Sequence, residues 1–180
     1  IPVPPLPITE GPGGPILVVS TTTNPFSRYA VEILRAEGLN EFSARDISQI
    51  NADTLNRYDV VILGEMTLSP TNVTDLTNWV NAGGTLISFK PDNQLATLLG
   101  ITPAGGTLSN QYLLVNTTSG PGAGIVGQTI QFHGTANQYN LSGATSLATL
   151  YSSVSTPTAY PAVTSRNVGS NGGKAVAFTY

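Results

Sequence analysis

The stretch YDVVILGEMTLSPTNVTDLTNWVNAGGTLISF, residues 58–89, decides the fold of this chain. Val60-Val61-Ile62-Leu63 and Thr85-Leu86-Ile87-Ser88-Phe89 are short apolar runs without alternation, as expected of strands buried on both faces of a parallel sheet. Between them, Ser69-Pro70 opens a helix in which Val73, Leu76, Trp79 and Val80 fall on one face, and Gly83-Gly84 ends it. A strand, a helix and a strand of this kind make one right-handed crossover of an α/β fold.

The same pattern extends in both directions. Upstream, Ile16-Leu17-Val18-Val19 is another doubly buried strand. Asn24 then caps a helix with Pro25 at its first position, and Phe26, Tyr29, Ala30, Ile33 and Leu34 recur at helical spacing until Gly38. Glu41 to Ile47 is a weaker strand, and Ala52 to Tyr58 a short helix or turn. Downstream, Asp92 caps a helix running from Asn93 to Leu99 and closed by Gly100. These segments predict a doubly wound, mostly parallel, flavodoxin-like sheet.

The two ends read differently. Residues 1–14, IPVPPLPITEGPGG, are dominated by Pro and Gly and predict an extended polyproline II arm, held by its own domain or by a neighbouring subunit. Residues 15–180 predict one domain, whose part from about 101 to 180 is β-rich. There Gln111 to Val115, Thr129 to Phe132 and Ala175 to Tyr180 alternate between Gly, Pro and Ser/Thr clusters. Residues 93–180 contain no Asp or Glu.

Composition removes several function classes. Charged residues are 9% of the 180, against roughly 25% in ordinary soluble proteins, so hydroxyls and amides must cover the surface. Seven Lys plus Arg against ten acids, a formal charge of -3, leave no basic field to collect phosphates, which argues against nucleic acid as a partner. No apolar run approaches the roughly 20 residues of a membrane helix. Absence of cysteine removes disulfides, thiolate metal sites and a Cys nucleophile. Low charge with abundant Thr, Ser, Asn and Gly predicts a secreted protein, with Ile1 read as the start of a mature chain. The sequons at Asn72, Asn116 and Asn140 are chance matches in a chain so rich in Asn and Thr.

The order PILVVS, helix, YDVVILGEM, the helix ending WVNAGGTLISF, KPDNQLATLLGI, IQFHG and GGKAVAFTY resembles the class I glutamine amidotransferase-like superfamily. It is similar in particular to the non-catalytic domains attached to β-galactosidases and to large secreted multidomain proteins. The likeness spans most of residues 15–180, and its most specific part is a helix ending in Gly-Gly before a strand and the helix QLATLLG. In active members, the resemblance implies a nucleophilic Cys flanked by Gly at the turn after that strand, with a late His and Glu completing a triad. Here that turn reads Ser88-Phe89-Lys90-Pro91-Asp92-Asn93, Pro removes a backbone N–H, and no acid follows Asp92. Amidotransferase chemistry is therefore excluded.

Other candidates have simpler readings beside the functional ones. His133, the only histidine, is expected to be a loop residue, because a base needs an orienting partner and a nucleophile within reach; Glu65, Ser88 and Ser20 are the groups available to it. Lys90 and Asp92 follow a strand at the carboxyl edge where doubly wound folds bind ligands, although a salt bridge and a helix cap explain them as well. Thr22, Asn24, Glu65, Lys90 and Asp92, with His133, form the candidate vestigial pocket. Thr21-Thr22-Thr23-Asn24 lacks the glycines of a phosphate loop, and Gly120-Pro121-Gly122-Ala123-Gly124 lacks a surrounding strand and helix. Scattered carboxylates and a single His offer no metal site, and no cofactor is expected. Tyr112, Tyr139, Tyr151 and Tyr160 could stack on sugars, with core packing the plainer reading.

Together these features predict a non-catalytic extracellular structural or interaction module. Its partners would be copies of itself or other domains of a parent protein, with Ile1, Pro2, Val3, Pro4, Pro5, Leu6 and Pro7 as an assembly arm. Carbohydrate binding is the alternative, and a hydrolase using His133 the second.

Overall fold

The structure, a computed structural model, describes residues 13–118 and 120–180. The arm at Ile1–Pro7 lies outside them. The chain divides into two compact units, one comprising the residues up to Ser88 with Val168–Lys174, the other Phe89–Asn167 with Ala175–Tyr180.

The first unit is α/β, as the sequence predicts. Its strands β1 (Ile16–Ser20), β2 (Phe42–Asp46), β3 (Val60–Leu63) and β4 (Thr85–Phe89) lie in the order β2-β1-β3-β4. All three pairings are parallel, with Leu17, Val61 and Leu86 in one register row and Val18, Ile62 and Ile87 in the next. Leu17, Val19, Val61, Leu63 and Leu86 are fully buried on one face, and Val18, Phe42 and Ala44 on the other. Burial of both faces is why β1 reads as a continuous apolar run; β3 and β4 are buried on one face and half-buried on the other.

Helices follow where the caps predict them. A 3-10 turn at Pro25–Arg28 leads into α1 (Tyr29–Ala36), and the Asn24 side chain accepts from the Phe26 amide. The short α2 (Ala52–Leu55) is capped by Asn51, and α3 (Pro70–Asn81) carries a capping box between Ser69 and Asn72. Leu76, Trp79 and Val80 are the buried side chains of α3. In α1 the buried pair is Val31 and Leu34, packed with Val18, Phe42 and Ala44, while Phe26, Tyr29 and Ile33 of the predicted stripe are more than half exposed.

The second unit is β-rich. After a 3-10 turn at Asn93–Leu95, α4 (Ala96–Leu99) ends at Gly100, whose φ of 66° gives the left-handed cap. β5 (Ile101–Ser109) and β8 (Thr135–Leu141) form an antiparallel pair. β6 (Tyr112–Val115), β7 (Ile130–Gln131), β9 (Thr145–Ser153), β10 (Thr156–Val168) and β11 (Gly173–Phe178) follow the order β11-β10-β9-β6-β7. Its core gathers Leu113, Phe132, Ala136, Ala148, Leu150, Ala162 and Val163, with Tyr160, Phe178 and Tyr180 packed against them. Among the described residues no helix is long and apolar enough to cross a membrane.

Candidate functional site

The carboxyl ends of β1 and β3 are where a doubly wound sheet would hold a ligand. In the first unit that edge is tied by hydrogen bonds of its own. The Ser27 hydroxyl donates to the carbonyl of Asn24 at 2.6 Å and accepts from the Thr21 amide at 2.9 Å. Asn24 donates its Nδ2 to the carbonyl of Glu65 at 3.0 Å. Gly64 lets β3 approach this turn, since a Cβ there would sit 2.6 Å from Ser27 Cβ. Thr22 donates its amide to Asp46 Oδ2 at 3.1 Å, so its backbone group also closes a loop.

Asp46 is an organiser that the sequence reading missed. Its other oxygen accepts from the Ser48 amide at 2.9 Å and the Ser48 hydroxyl at 2.7 Å. Burial pushes the carboxyl up, but the hydrogen bonds from Ser48 and Thr22 outweigh it and hold Asp46 below the usual carboxylate range. A depressed carboxyl stabilises the fold above its unfolded pKa of about 3.9, and loses that contribution as pH falls through the folded value. Asp46→Asn should therefore be less stable than the parent at neutral pH, and the gap should close in acid. Denaturant titrations of both proteins at several pH values measure this; a gap that stays constant contradicts it.

Lys90, Asp92 and His133 belong to the second unit. At the turn after β4, where the resemblance puts a nucleophile, Lys90 has a φ of 40°, in the region that favours glycine. Its amide donates to the Phe178 carbonyl at 2.7 Å. Asp92 is the predicted cap, with Oδ1 accepting from the Gln94 amide at 2.9 Å. Tyr139, fully buried in β8, donates its hydroxyl towards the carbonyl of Pro91 at 3.3 Å and Asn93 Oδ1 at 3.1 Å. Burial pushes the Tyr139 phenol up; the Asn137 side chain opposes that shift and the charge of Asp92 adds to it. His133 is exposed between Phe132 and Gly134.

A left-handed non-glycine residue costs roughly 1–2 kcal/mol, of which glycine returns about 0.5–1 through its unfolded-state entropy. Lys90→Gly should accordingly hold or raise stability, by up to ~1 kcal/mol. Urea midpoints give the comparison, and a clear loss would mean that contacts of the Lys90 side chain outweigh the backbone strain.

The hydroxyls named as partners for His133 are not accessible. Ser20 is 1% and Ser88 0% exposed, and neither Oγ has a hydrogen-bond partner among the described residues. Of the tyrosines, Tyr139 is buried, and Tyr160 packs against the cluster of Leu113, Phe132, Leu150 and Val163. Tyr112 and Tyr151 stand directly opposite each other on β6 and β9 and are partly exposed. Among the described residues, no group of three His, Cys, Asp or Glu side chains gathers to hold a metal.

No protein-family model matches the chain, and no curated protein does. Solved structures share its fold. A cold-adapted β-galactosidase from Rahnella sp. R3 matches over 95% of this chain and 29% of its own, with TM-score 0.72 and 16% identity. A β-galactosidase from Bacillus circulans sp. alkalophilus matches over 92% and 28%, with TM-score 0.67 and 14% identity. A ThuA-like protein from Bacteroides uniformis matches over 97% and 84%, with TM-score 0.67 and 13% identity. The chain thus spans under a third of the galactosidases and most of the ThuA-like protein.

Proposed function

We propose that this chain is a non-catalytic, glutamine amidotransferase-like accessory module that works outside the cell by contacting other protein surfaces. The observation that carries this reading is the turn after β4. Its Lys90 amide is taken up by Phe178, Pro91 has no N–H to offer, and the Pro91 carbonyl is engaged by Tyr139. An oxyanion needs free, aimed donors, and a nucleophile needs access. The buried Ser88 that begins this turn provides no access.

The matching galactosidases, of which a chain this long is under a third, are compatible with an accessory role. Partners would be copies of this chain or other domains of a parent protein. Among the described residues β2 pairs with β1 and stands at the end of the strand order of its unit, and an edge strand can accept a partner strand. The charge-poor surface rich in hydroxyls and amides favours an extracellular setting.

The test combines turnover with association. Chromogenic esters, amides and glycosides should be left intact, and sedimentation at rising concentration, alone and with candidate parent domains, should show association. Turnover that His133→Ala abolishes would establish the hydrolase reading instead. Carbohydrate binding is the second reading, favoured by the facing pair Tyr112 and Tyr151, because aromatic faces stack on sugar rings. It predicts saturable binding to a polysaccharide that Tyr112→Ala and Tyr151→Ala each weaken.

A further inference from the structure

Arg166, near the end of β10, is a partly buried cation in a unit almost empty of charge. The only acid in Phe89–Asn167 and Ala175–Tyr180 is Asp92, which caps the Gln94 amide ahead of α4. Arg166 lies at the opposite end of that helix. Its Nη1 donates to the carbonyl of Thr97 and lies 3.5 Å from that of Leu98. Its Cδ packs over Gly100, 2.7 Å from where a Cβ would stand. These contacts fix the guanidinium through one nitrogen. The group stays charged throughout the usual pH range, and uncharged carbonyls orient that charge without neutralising it. Among the described residues, Nε and Nη2 donate to no acceptor, and no carboxylate pairs with Arg166.

A cavity of about 360 Å³ opens beside it, lined by Gly143, Thr145, Leu147, Ser165, Arg166 and Asn167. That volume is at the lower end of the roughly 300–1,000 Å³ of ligand pockets, the size of a single sugar ring. Thr145 and Ser165 stand directly opposite each other across β9 and β10. The turn before Thr145 is tied to the same helix end, because Ser142 and Ala144 donate their amides to the Gly100 carbonyl at 2.7 and 3.1 Å. Backbone bonds therefore hold the walls in place. Among the described residues, the hydroxyls of Thr145 and Ser165 and the side-chain amide of Asn167 have no hydrogen-bond partner, so they are available to a ligand.

We propose that this cavity binds a small hydroxylated carboxylate of the uronic acid class, its carboxylate on the Nε–Nη2 edge of Arg166 and its hydroxyls on Thr145, Ser165 and Asn167. The planar edge of a guanidinium matches a carboxylate with two parallel N–H···O bonds, and a fork already fixed through Nη1 loses little freedom in making them. Charge selects a monoanion: Arg166 is the one cation in the wall, whereas inorganic sulfate or phosphate brings more charge than a single guanidinium neutralises. The free hydroxyls and amide select a ligand with hydroxyls of its own, since an apolar acid would leave them without partners. Tyr112 and Tyr151 are not part of this wall.

The inference goes beyond the accessory role and does not depend on it. Glucuronate titrated into the isotope-labelled full-length protein should move the amide signals of Thr145, Ser165, Arg166 and Asn167 and the Arg166 Nε–H signal, and saturate at millimolar concentration. Glucose, which lacks the carboxylate, and sodium sulfate, which lacks the ring hydroxyls, should each bind at least about tenfold more weakly. Arg166→Lys keeps the charge and loses the fork, and should weaken glucuronate at least roughly tenfold. Ser165→Ala/Asn167→Ala leaves the contacts of Arg166 with Thr97 and Leu98 in place, so the fold is kept, and should weaken it several-fold. Glucuronate shifts that are absent, that glucose or sulfate reproduces at equal concentration, or that either variant leaves unchanged overturn the proposal.

Discussion

Trp79→Ala should lower the stability of the first unit by about 3–5 kcal/mol, the range for removing a buried tryptophan. The side chain is 6% exposed, and its indole N–H donates to the Tyr58 carbonyl at 3.2 Å. Its ring also covers Gly84 so closely that a Cβ there would meet ring atoms at 2.3–2.5 Å. Alanine would leave a cavity beside the backbone and an unanswered carbonyl, and neither is relieved unless the end of α3 moves. In a chain of this size the thermal midpoint should fall by about 6–20 °C. Far-UV circular dichroism is the measurement, since the variant loses the only tryptophan. Trp79→Phe, which keeps most of the volume and loses the hydrogen bond, should cost roughly 1–2 kcal/mol. Equal costs for the two variants would mean that the cavity carries none of the effect.

The features legible in the sequence were local ones. β1 announces itself because burial on both faces demands apolar side chains at consecutive positions, and β3 and β4 because they are buried on one face and half-buried on the other. Asn24 and Asp92 were readable as caps because each acts on an amide two residues ahead. Most of β5, β8, β9 and β10 was not legible. β10 carries Pro157 and Pro161, and its pairing with β9 shifts register at both; β5 shifts between Pro103 and Thr107, around Gly105 and Gly106. Strands bent in this way do not alternate, so a period of two cannot reveal them. The candidate site shows the same division. The tie from Tyr139 to Pro91 and Asn93 spans 48 and 46 residues, and nothing at either end marks the other. On α1, apolar spacing showed a helix but could not say which side chains faced inward: Val31 and Leu34 do, while Tyr29 and Ile33 are exposed.

Gly173→Ala should be the most damaging single methyl that can be added to the first unit, costing at least the upper end of the ~1–3 kcal/mol usual for overpacking. The ideal Cβ would lie 2.0 Å from the Val80 carbonyl oxygen and 3.0 Å from that of Val168. Both are backbone atoms and cannot rotate away. The approach is fixed from several sides: Lys174 donates its amide to the Gly84 carbonyl at 3.1 Å, and Asn171 donates Nδ2 to the Asn81 carbonyl at 3.1 Å. Gly83, with φ of 124°, faces the Asn171 carbonyl, where a Cβ would come within 2.9 Å. The Gly-Gly that ends α3 and the Gly173 that opens β11 are thus two sides of one close backbone crossing, which gives the WVNAGG stretch a steric reason. Gly127→Ala is the control, since its nearest neighbour is 3.6 Å away and its φ is unstrained; it should stay within about 0.5 kcal/mol of the parent. Guanidinium unfolding of the two variants separates the cases. If Gly173→Ala unfolds within error of Gly127→Ala, the end of α3 is free to retreat and the crossing is not what holds the start of β11 in place.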